Sequence, residues 1–184
     1  MTVRRPASPE YQHALVEIRT ARLLLRRPRP DDLDAVFAIM SNPVAMRYWS
    51  TLPHANREVT RPWLDRMIAR NAAGGEDFLI EFEGRVIGDV GAGRLPDFGF
   101  ILHHDFWGRG LATEAATAFI DYAFSKTAAT ELTADVDPRN LASLQVLAKL
   151  GFAETGRAER TFLLGEEWCD SVYLALPHPS RPRQ

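Results

Sequence analysis

The stretch HHDFWGRGLATEAATAFIDYAF, from His103 to Phe124, places a glycine-rich turn directly before an alanine-rich amphipathic segment. That segment predicts a helix from about Gly110 to Phe124. The first N–H groups of a helix have no partner within it, and glycine lets a backbone wrap closely around an anion. Trp107 to Ala112 (WGRGLA) therefore predicts a phosphate-binding turn, to which Arg109 adds a positive charge. A tight strand-to-helix turn without a ligand is the alternative.

A second stretch, DPRNLASLQVLAKLGF from Asp137 to Phe152, opens a later predicted helix. Asn140 and Ser143 are three residues apart, so both lie on one face of its first turn. Polar groups at this place can reach a ligand held between the two strands that precede the helices. The alternative is that Asn140 only caps the helix, because asparagine is a preferred N-cap residue.

The rest of the chain alternates strand-like and helix-like segments, an order that predicts a mixed α/β fold. Proline-rich and charged ends predict a flexible N-terminal segment at 1–20 and a disordered tail at 178–184, on either side of one domain at 21–177. The predicted elements are, in order, a strand at 21–28, helices beginning near 30 and 57, strands at 78–84, 85–93 and 97–103, a helix at 110–124, a strand at 130–136, a helix beginning at 138, and strands at 152–162 and 166–176.

Composition excludes several classes of protein. The 184 residues carry a net charge of -2, which provides no overall basic field for nucleic acid. No apolar run is long enough to span a membrane, and the first residues lack the apolar region of a signal peptide. Cys169 is the only cysteine, so no internal disulfide forms and a reducing compartment fits. These features predict a cytoplasmic protein that binds neither nucleic acid nor membrane.

Taken together, the glycine turn and the Asn-x-x-Ser helix resemble the GNAT family of acetyl-CoA-dependent N-acetyltransferases. The family signature is Gln or Arg, two residues, Gly, one residue, then Gly or Ala. Gly110 and Ala112 match it, whereas Trp107 stands at the first position. The segments FWGRGLATEA, SNPVAMRYWS and GEEWCDSVYLAL resemble the ribosomal-protein N-terminal acetyltransferase branch (RimJ/RimL type). The resemblance covers nearly all of Ala21 to Leu176.

The resemblance implies a mixed central sheet flanked by helices, with two splayed strands forming the acetyl-CoA cleft. It implies transfer of an acetyl group to a primary amine, of a protein N-terminus or a small molecule, by direct attack in a ternary complex. A non-catalytic acyl-CoA-binding regulatory module is the alternative, and the protein is expected as a monomer or homodimer. The residues implied to bind acetyl-CoA are Leu102, Trp107, Gly108, Arg109, Gly110, Leu111, Ala112, Thr113, Asn140 and Ser143.

Two catalytic roles follow from the resemblance. The backbone N–H of Leu102 is expected to stabilise the oxyanion. Many relatives place a tyrosine seven residues after the asparagine, where this chain has Leu147, and Ser143 is the implied substitute as proton donor to the thiolate. A serine that only binds the cofactor is the alternative. For the general base, four residues on strands remain open as candidates, which are Glu81, Asp97, His103 and Asp135.

Two further features have ordinary structural explanations. The HHD sequence suggests a metal site, but neighbouring strand residues point to opposite faces, so His103 and His104 are expected to diverge and no metal is predicted. Cys169 lies in an apolar strand and is predicted to belong to the core. Tyr48 and Trp49 are candidates for the wall of the acceptor cleft.

Overall fold

The computed structural model describes residues 16–180. Within them, the predicted order of strands and helices is confirmed, and one short strand that the sequence analysis missed precedes it. The strands and α-helices are β1 (Glu17–Arg19), β2 (Leu23–Arg26), α1 (Leu33–Met40), α2 (Arg57–Ala72), β3 (Glu76–Phe82), β4 (Arg85–Arg94), β5 (Asp97–Leu102), α3 (Leu111–Lys126), β6 (Glu131–Val136), α4 (Leu141–Lys149), β7 (Ala153–Leu164) and β8 (Glu167–Pro177).

The predicted boundaries at the two ends fall partly on residues that the structure does not describe. Residues 1–15 of the predicted flexible segment and 181–184 of the predicted tail lie outside the described residues. Glu17–Arg19 pair antiparallel with β2 and form one edge of the sheet. The sheet therefore starts before position 21, where the domain was expected to begin.

Eight strands form one sheet in the order β1-β2-β3-β4-β5-β6-β8-β7 within residues 16–180. Its neighbours are antiparallel except for β5 and β6, which are parallel and pair only at Asp97 and Thr133. The N–H of Thr133 donates to the carbonyl of Pro96 at 2.8 Å, next to this single pair. The two strands consequently diverge toward their carboxyl ends and leave a gap between them.

Helices cover both faces of the sheet. One face packs against α3 and α4, and its aromatic core stacks Phe98 on Phe119 and on Phe152, with ring centroids 5.5 and 5.6 Å apart. The other face packs α1 and α2 against Leu79 and Ile101. Because Phe98 and Ile101 both belong to β5, the two cores fix this strand from opposite sides. The mixed α/β prediction, with a central sheet flanked by helices, is confirmed.

No helix among residues 16–180 combines the length and the apolar character that crossing a membrane requires.

Candidate active site

A cavity of about 520 Å³ lies between the N-terminal end of α3 and one face of α4, where β5 and β6 part. Most of the residues that the sequence analysis selected for acetyl-CoA line it. These are Leu102, Trp107, Gly108, Gly110, Leu111, Ala112, Thr113, Asn140 and Ser143.

The turn before α3 is left-handed at both glycines. Gly108 has φ +71° and Gly110 has φ +75°, conformations that side chains other than glycine adopt only with strain. A Cβ at Gly108 would meet no atom within 4 Å, and one at Gly110 would lie 3.6 Å from Nη2 of Arg22. Backbone conformation, rather than crowding, therefore requires glycine at both positions.

The turn presents the free end of α3 to the cavity. The first hydrogen bond of the helix runs from the N–H of Glu114 to the carbonyl of Gly110, at 3.0 Å. The preceding N–H groups, from Leu111 to Thr113, have no carbonyl partner within the helix. Their residues line the cavity, so the partial positive charge of the helix end faces it.

Arg109 contributes its backbone to the turn but directs its side chain elsewhere. Its guanidinium lies over the ring of Phe82 at 4.8 Å and over that of Phe106 at 5.8 Å. Its carbonyl accepts a hydrogen bond from Nη1 of Arg22 at 3.0 Å. Arg109 is not among the residues that line the cavity.

The edge of the sheet braces the same turn through Glu114. Its carboxylate accepts hydrogen bonds from the Arg22 N–H (2.9 Å), the Arg22 Nε (2.7 Å) and the Thr20 hydroxyl (2.5 Å). Burial works against ionisation of Glu114, but these bonds lower its pKa below the usual value. The first turn of α3 is thereby tied to the β1–β2 connection.

The backbone of Leu102 faces the gap between β5 and β6. The next residue, His103, donates its N–H to the carbonyl of Ile87 in β4 at 2.8 Å. Because backbone groups alternate along a strand, the N–H and carbonyl of Leu102 point away from β4. The carbonyl accepts a hydrogen bond from Nε1 of Trp107 at 2.9 Å, which agrees with that direction.

The first turn of α4 forms the opposite wall. Asn140 is the N-cap, and its Oδ1 accepts a hydrogen bond from the N–H of Ser143 at 3.2 Å. The capping role that the sequence left open is therefore confirmed. Asn140 and Ser143 both line the cavity, so capping and contact with a ligand are compatible.

A second cavity of about 90 Å³ adjoins the first, between β5 and β6. The two share five lining residues, which are Tyr48, Trp49, Phe100, Asn140 and Ser143. The charges around them differ. Among the described residues, Arg139 and Lys149 and no carboxylate line the larger cavity, whereas Asp135 and Asp137 and no cation line the smaller one.

Comparison with known proteins identifies the family. The sequence profile of the acetyltransferase (GNAT) domain matches residues 22–153. This chain belongs to the GNAT acetyltransferase family. The predictions of an acyltransferase and of acetyl-CoA as its donor are thereby confirmed.

Two sequence relatives and one solved structure illustrate which proteins this acetyltransferase is similar to. Spermidine N(1)-acetyltransferase of Escherichia coli is 26% identical over 158 residues, which are 83% of this chain and 84% of that protein. The [ribosomal protein uS5]-alanine N-acetyltransferase of E. coli is 35% identical over 81 residues, 44% of this chain and 42% of that protein. The structure of RimL, a ribosomal L7/L12 α-N-protein acetyltransferase in complex with coenzyme A, has a TM-score of 0.79 at 19% identity and covers 88% of this chain and 98% of that one. The resemblance to the RimJ/RimL-type branch is confirmed.

In this acetyltransferase, Arg139 connects the start of α4 to Asp137, to the first residue of β8 and to Tyr48. Its Nη2 and Nε bind the carboxylate of Asp137 at 2.6 and 2.9 Å, and its Nη1 binds Glu167 at the start of β8. Its guanidinium also lies 5.8 Å from the ring centre of Tyr48. Hydrogen bonds from Arg139 lower the pKa of Asp137 despite its burial. The sequence analysis missed this residue, although it lies in DPRN (137–140), where the predicted helix begins.

The expectation that His103 and His104 diverge is wrong. β5 ends at Leu102, and His104–Phe106 form a 3₁₀ turn, so strand alternation no longer applies. The two imidazole centres are 4.7 Å apart, and ligand atoms of both rings and of Asp105 lie within 4.8 Å of one another.

An amide already donates into this histidine cluster. Nδ2 of Asn42 lies 2.8 Å from Nδ1 of His104 and 3.5 Å from Nε2 of His103. Oδ1 of Asn42 accepts from the N–H groups of residues 44 and 45, which fixes the orientation of the amide. Burial lowers the pKa of His103, and the nearby Asp105 only partly opposes this shift. The cluster joins the loop after α1 to the end of β5, and we assign no ion to it.

The four candidates for the general base occupy different places. Glu81 binds Nε of Arg26 at 2.9 Å, and Asp97 accepts from the hydroxyl of Thr133 at 3.2 Å. His103 belongs to the cluster just described. Of the four, only Asp135 lines one of the two cavities described here.

A further carboxyl group, Asp89 on β4, lies on the face of the sheet that α1 and α2 cover. It pairs with Leu79 on one side and with Ile101 on the other. Burial, together with the neighbouring carboxylate of Asp77, raises the pKa of Asp89 to about 8, although Arg70 opposes the shift. The sequence analysis did not single out Asp89, because its surroundings arise only from the packing of helices on the sheet.

Proposed function

We propose that this acetyltransferase moves the acetyl group of acetyl-CoA to a primary amine, of a protein N-terminus or a small molecule, by direct attack in a ternary complex. The observation that carries the proposal is the junction of the two cavities at Asn140 and Ser143. The larger cavity suits a long polyanion and the smaller one suits an ammonium group. The two substrates meet where the cavities share their walls.

The larger cavity fits acetyl-CoA, which supplies an activated acyl carbonyl when bound. The N–H groups from Leu111 to Thr113 and the left-handed glycines form a cradle for a pyrophosphate. The space in which a Cβ at Gly108 would lie is open, which leaves room for close approach to the backbone. The absence of carboxylates among the described lining residues avoids repulsion of the phosphates.

The backbone N–H of Leu102 is the group that we assign to the oxyanion. It points into the gap between β5 and β6, and β5 is held by core packing on both faces. A donor fixed in this way is oriented before the reaction begins, which is the requirement for stabilising developing negative charge.

Ser143 is the proton donor that we assign to the leaving thiolate. Leu147, at the position where many relatives carry tyrosine, has no acidic proton and is 1% exposed. The hydroxyl-bearing Ser143 is half-buried and lines both cavities. Ser143 therefore carries a hydroxyl proton at the junction and lies in the same first turn of α4 as Asn140, whereas the other hydroxyl there, that of Tyr48, belongs to the opposite wall.

Asp135 is the residue that we assign to receive the proton of the amine, directly or through water. An α-amino group has a pKa near ~8 and a lysine amine one near ~10.4, so an N-terminal amine needs only a weak base. The carboxylate of Asp135 also attracts an ammonium group into the smaller cavity.

The names of the relatives agree with an amine acceptor. One is named for spermidine and another for an alanine of ribosomal protein uS5. We extend to this chain only the chemistry that these acceptors share, a primary amine that is a cation before it reacts.

The test is thiol release from acetyl-CoA with a panel of spermidine, alanine-terminated peptides and the same peptides with blocked N-termini. Release with an unblocked amine, and an acetylated product by mass spectrometry, are the expected results. Ser143→Ala is expected to slow release more than it weakens binding. Binding of acetyl-CoA without release by any amine supports the non-catalytic acyl-CoA-binding module instead, for which the replacement of tyrosine by Leu147 is the argument.

A further inference from the structure

The charges that line the larger cavity are of two kinds. Arg139 places its nitrogen atoms on Asp137 and Glu167, so two carboxylates already balance its charge. Lys149 is exposed, and no carboxylate among residues 16–180 lies within ion-pair distance of its ammonium group. Lys149 is therefore the cation of this cavity that has its charge available for a ligand.

The place of Lys149 on α4 separates it from the reacting groups. Leu141, Gln145 and Lys149 follow one another at four-residue spacing, and all three line the cavity. At 1.5 Å per residue, Lys149 lies about 9 Å beyond Ser143 along the helix axis. A group that binds Lys149 is thus remote from the junction where the acetyl group reacts.

Coenzyme A carries two phosphate features, a pyrophosphate and a 3′-phosphate monoester on its ribose. The backbone turn at residues 108–113 supplies neutral N–H donors and a helix end to one of them. An ammonium group on the opposite wall suits the other, because a lysine binds a phosphate monoester as a point charge.

We propose that Lys149 binds the 3′-phosphate of coenzyme A and makes this enzyme distinguish acetyl-CoA from its 3′-dephospho form. The inference rests on the proposed function, since it takes acetyl-CoA as the occupant of the larger cavity. Lys149 acts on affinity for the donor and has no part in the chemistry of transfer.

The test is calorimetric titration of the intact protein with acetyl-CoA and with 3′-dephospho-acetyl-CoA. For the wild type we expect dissociation constants that differ by about tenfold, equivalent to 1.4 kcal/mol. Lys149→Gln is expected to raise the dissociation constant of acetyl-CoA by that factor and to leave that of the dephospho compound unchanged. Lys149→Arg is expected to restore most of the difference in affinity between the two compounds. Lys126→Gln is the matched control, because Lys126 is likewise exposed and occupies the last turn of its helix, α3.

The outcomes are distinct. If Lys149→Gln lost affinity equally for both compounds, Lys149 would bind the pyrophosphate and the proposal would be overturned. Unchanged affinity for both compounds would also overturn it. A wild type that binds neither compound would instead overturn the proposed function. Thermal unfolding of Lys149→Gln and Lys126→Gln shows whether either change acts through the helix end alone.

Discussion

Replacing Asn140 by aspartate separates its two roles. Oδ1 of Asn140 accepts the N–H of Ser143, and this cap survives in a carboxylate of the same shape. Nδ2 is the group of Asn140 that can donate a hydrogen bond into the cavity, and aspartate lacks it. Asn140→Asp therefore keeps the helix cap, removes the donor and adds a negative charge beside a polyanionic ligand.

The expected magnitudes follow from these contacts. Aspartate and asparagine cap helices about equally well, and the helix end favours a carboxylate by about 0.3–1 kcal/mol. The free energy of unfolding of Asn140→Asp should therefore equal or exceed that of the wild type. Loss of the donor costs about 1 kcal/mol, and repulsion adds to it, so we expect the dissociation constant of acetyl-CoA to rise at least about tenfold.

The assay combines thermal unfolding with calorimetric titration of acetyl-CoA. Asn56 provides the control, since it caps α2 in the same way, with its side chain accepting from the N–H of Val59 at 3.1 Å. Alanine at either position should lower the free energy of unfolding by about 1 kcal/mol, whereas aspartate should not lower it at either position. Only the changes at Asn140 should weaken binding.

One result would refute this reasoning. If Asn140→Asp bound acetyl-CoA as tightly as the wild type and released thiol at the same rate, Asn140 would be a helix cap and nothing more. Equal losses of affinity in Asn56→Asp would likewise show that the effect did not arise in the cavity.

Three further predictions concern the glycine turn, the proposed proton donor Ser143 and the half-buried Asp89. Gly110→Ala and Gly84→Ala each place a residue with a Cβ in a left-handed conformation, at φ +75°. Both variants should lose about 1–2 kcal/mol of stability in chemical denaturation. Only Gly110→Ala should weaken acetyl-CoA binding in titration. Ser143→Ala should lower kcat for thiol release about tenfold or more and leave the affinity for acetyl-CoA within about threefold, whereas a loss of affinity with kcat unchanged would assign Ser143 to binding alone. The pKa of Asp89 is about 8 in the folded protein and near 3.9 in the unfolded chain. Between these two pH values the folded protein keeps a proton on Asp89 that the unfolded chain has lost, so the free energy of unfolding falls as the pH rises from about 4 to about 8. Asp89→Asn should remove this fall in a series of melting curves from pH 5 to 8, and parallel curves for the two proteins would contradict it.

Local patterns were sufficient to predict most elements of the fold and the walls of the cleft. Glycine at 108 and 110 reflects a conformation that the turn requires, and Asn140 with Ser143 reflects a helix start, so both signals are local in sequence. β1 was missed because three residues at a sheet edge, Glu17–Arg19, are too few to show a period.

Features that depend on distant parts of the chain were not predictable. The pairing of Arg139 with Glu167 joins residues 28 positions apart, and Asn42 reaches the histidine pair across 61 and 62 positions. The expectation that His103 and His104 diverge was wrong because β5 ends at Leu102, one residue earlier than its sequence suggested. Lys149 was detectable in principle, since Leu141, Gln145 and Lys149 mark one helix face, but only the fold shows that this face meets the cavity.

The central claim is that the acetyl group passes directly from a donor in the larger cavity to an amine in the smaller one. Cys169, the one cysteine of the chain, is 2% exposed, and it does not line either cavity, so it offers no accessible thiol for a covalent intermediate. The most direct measurement is the initial rate of thiol release with acetyl-CoA and the best amine varied together. The account predicts intersecting double-reciprocal lines, as a ternary complex requires. Parallel lines, with an acetylated protein trapped in the absence of amine, would contradict it.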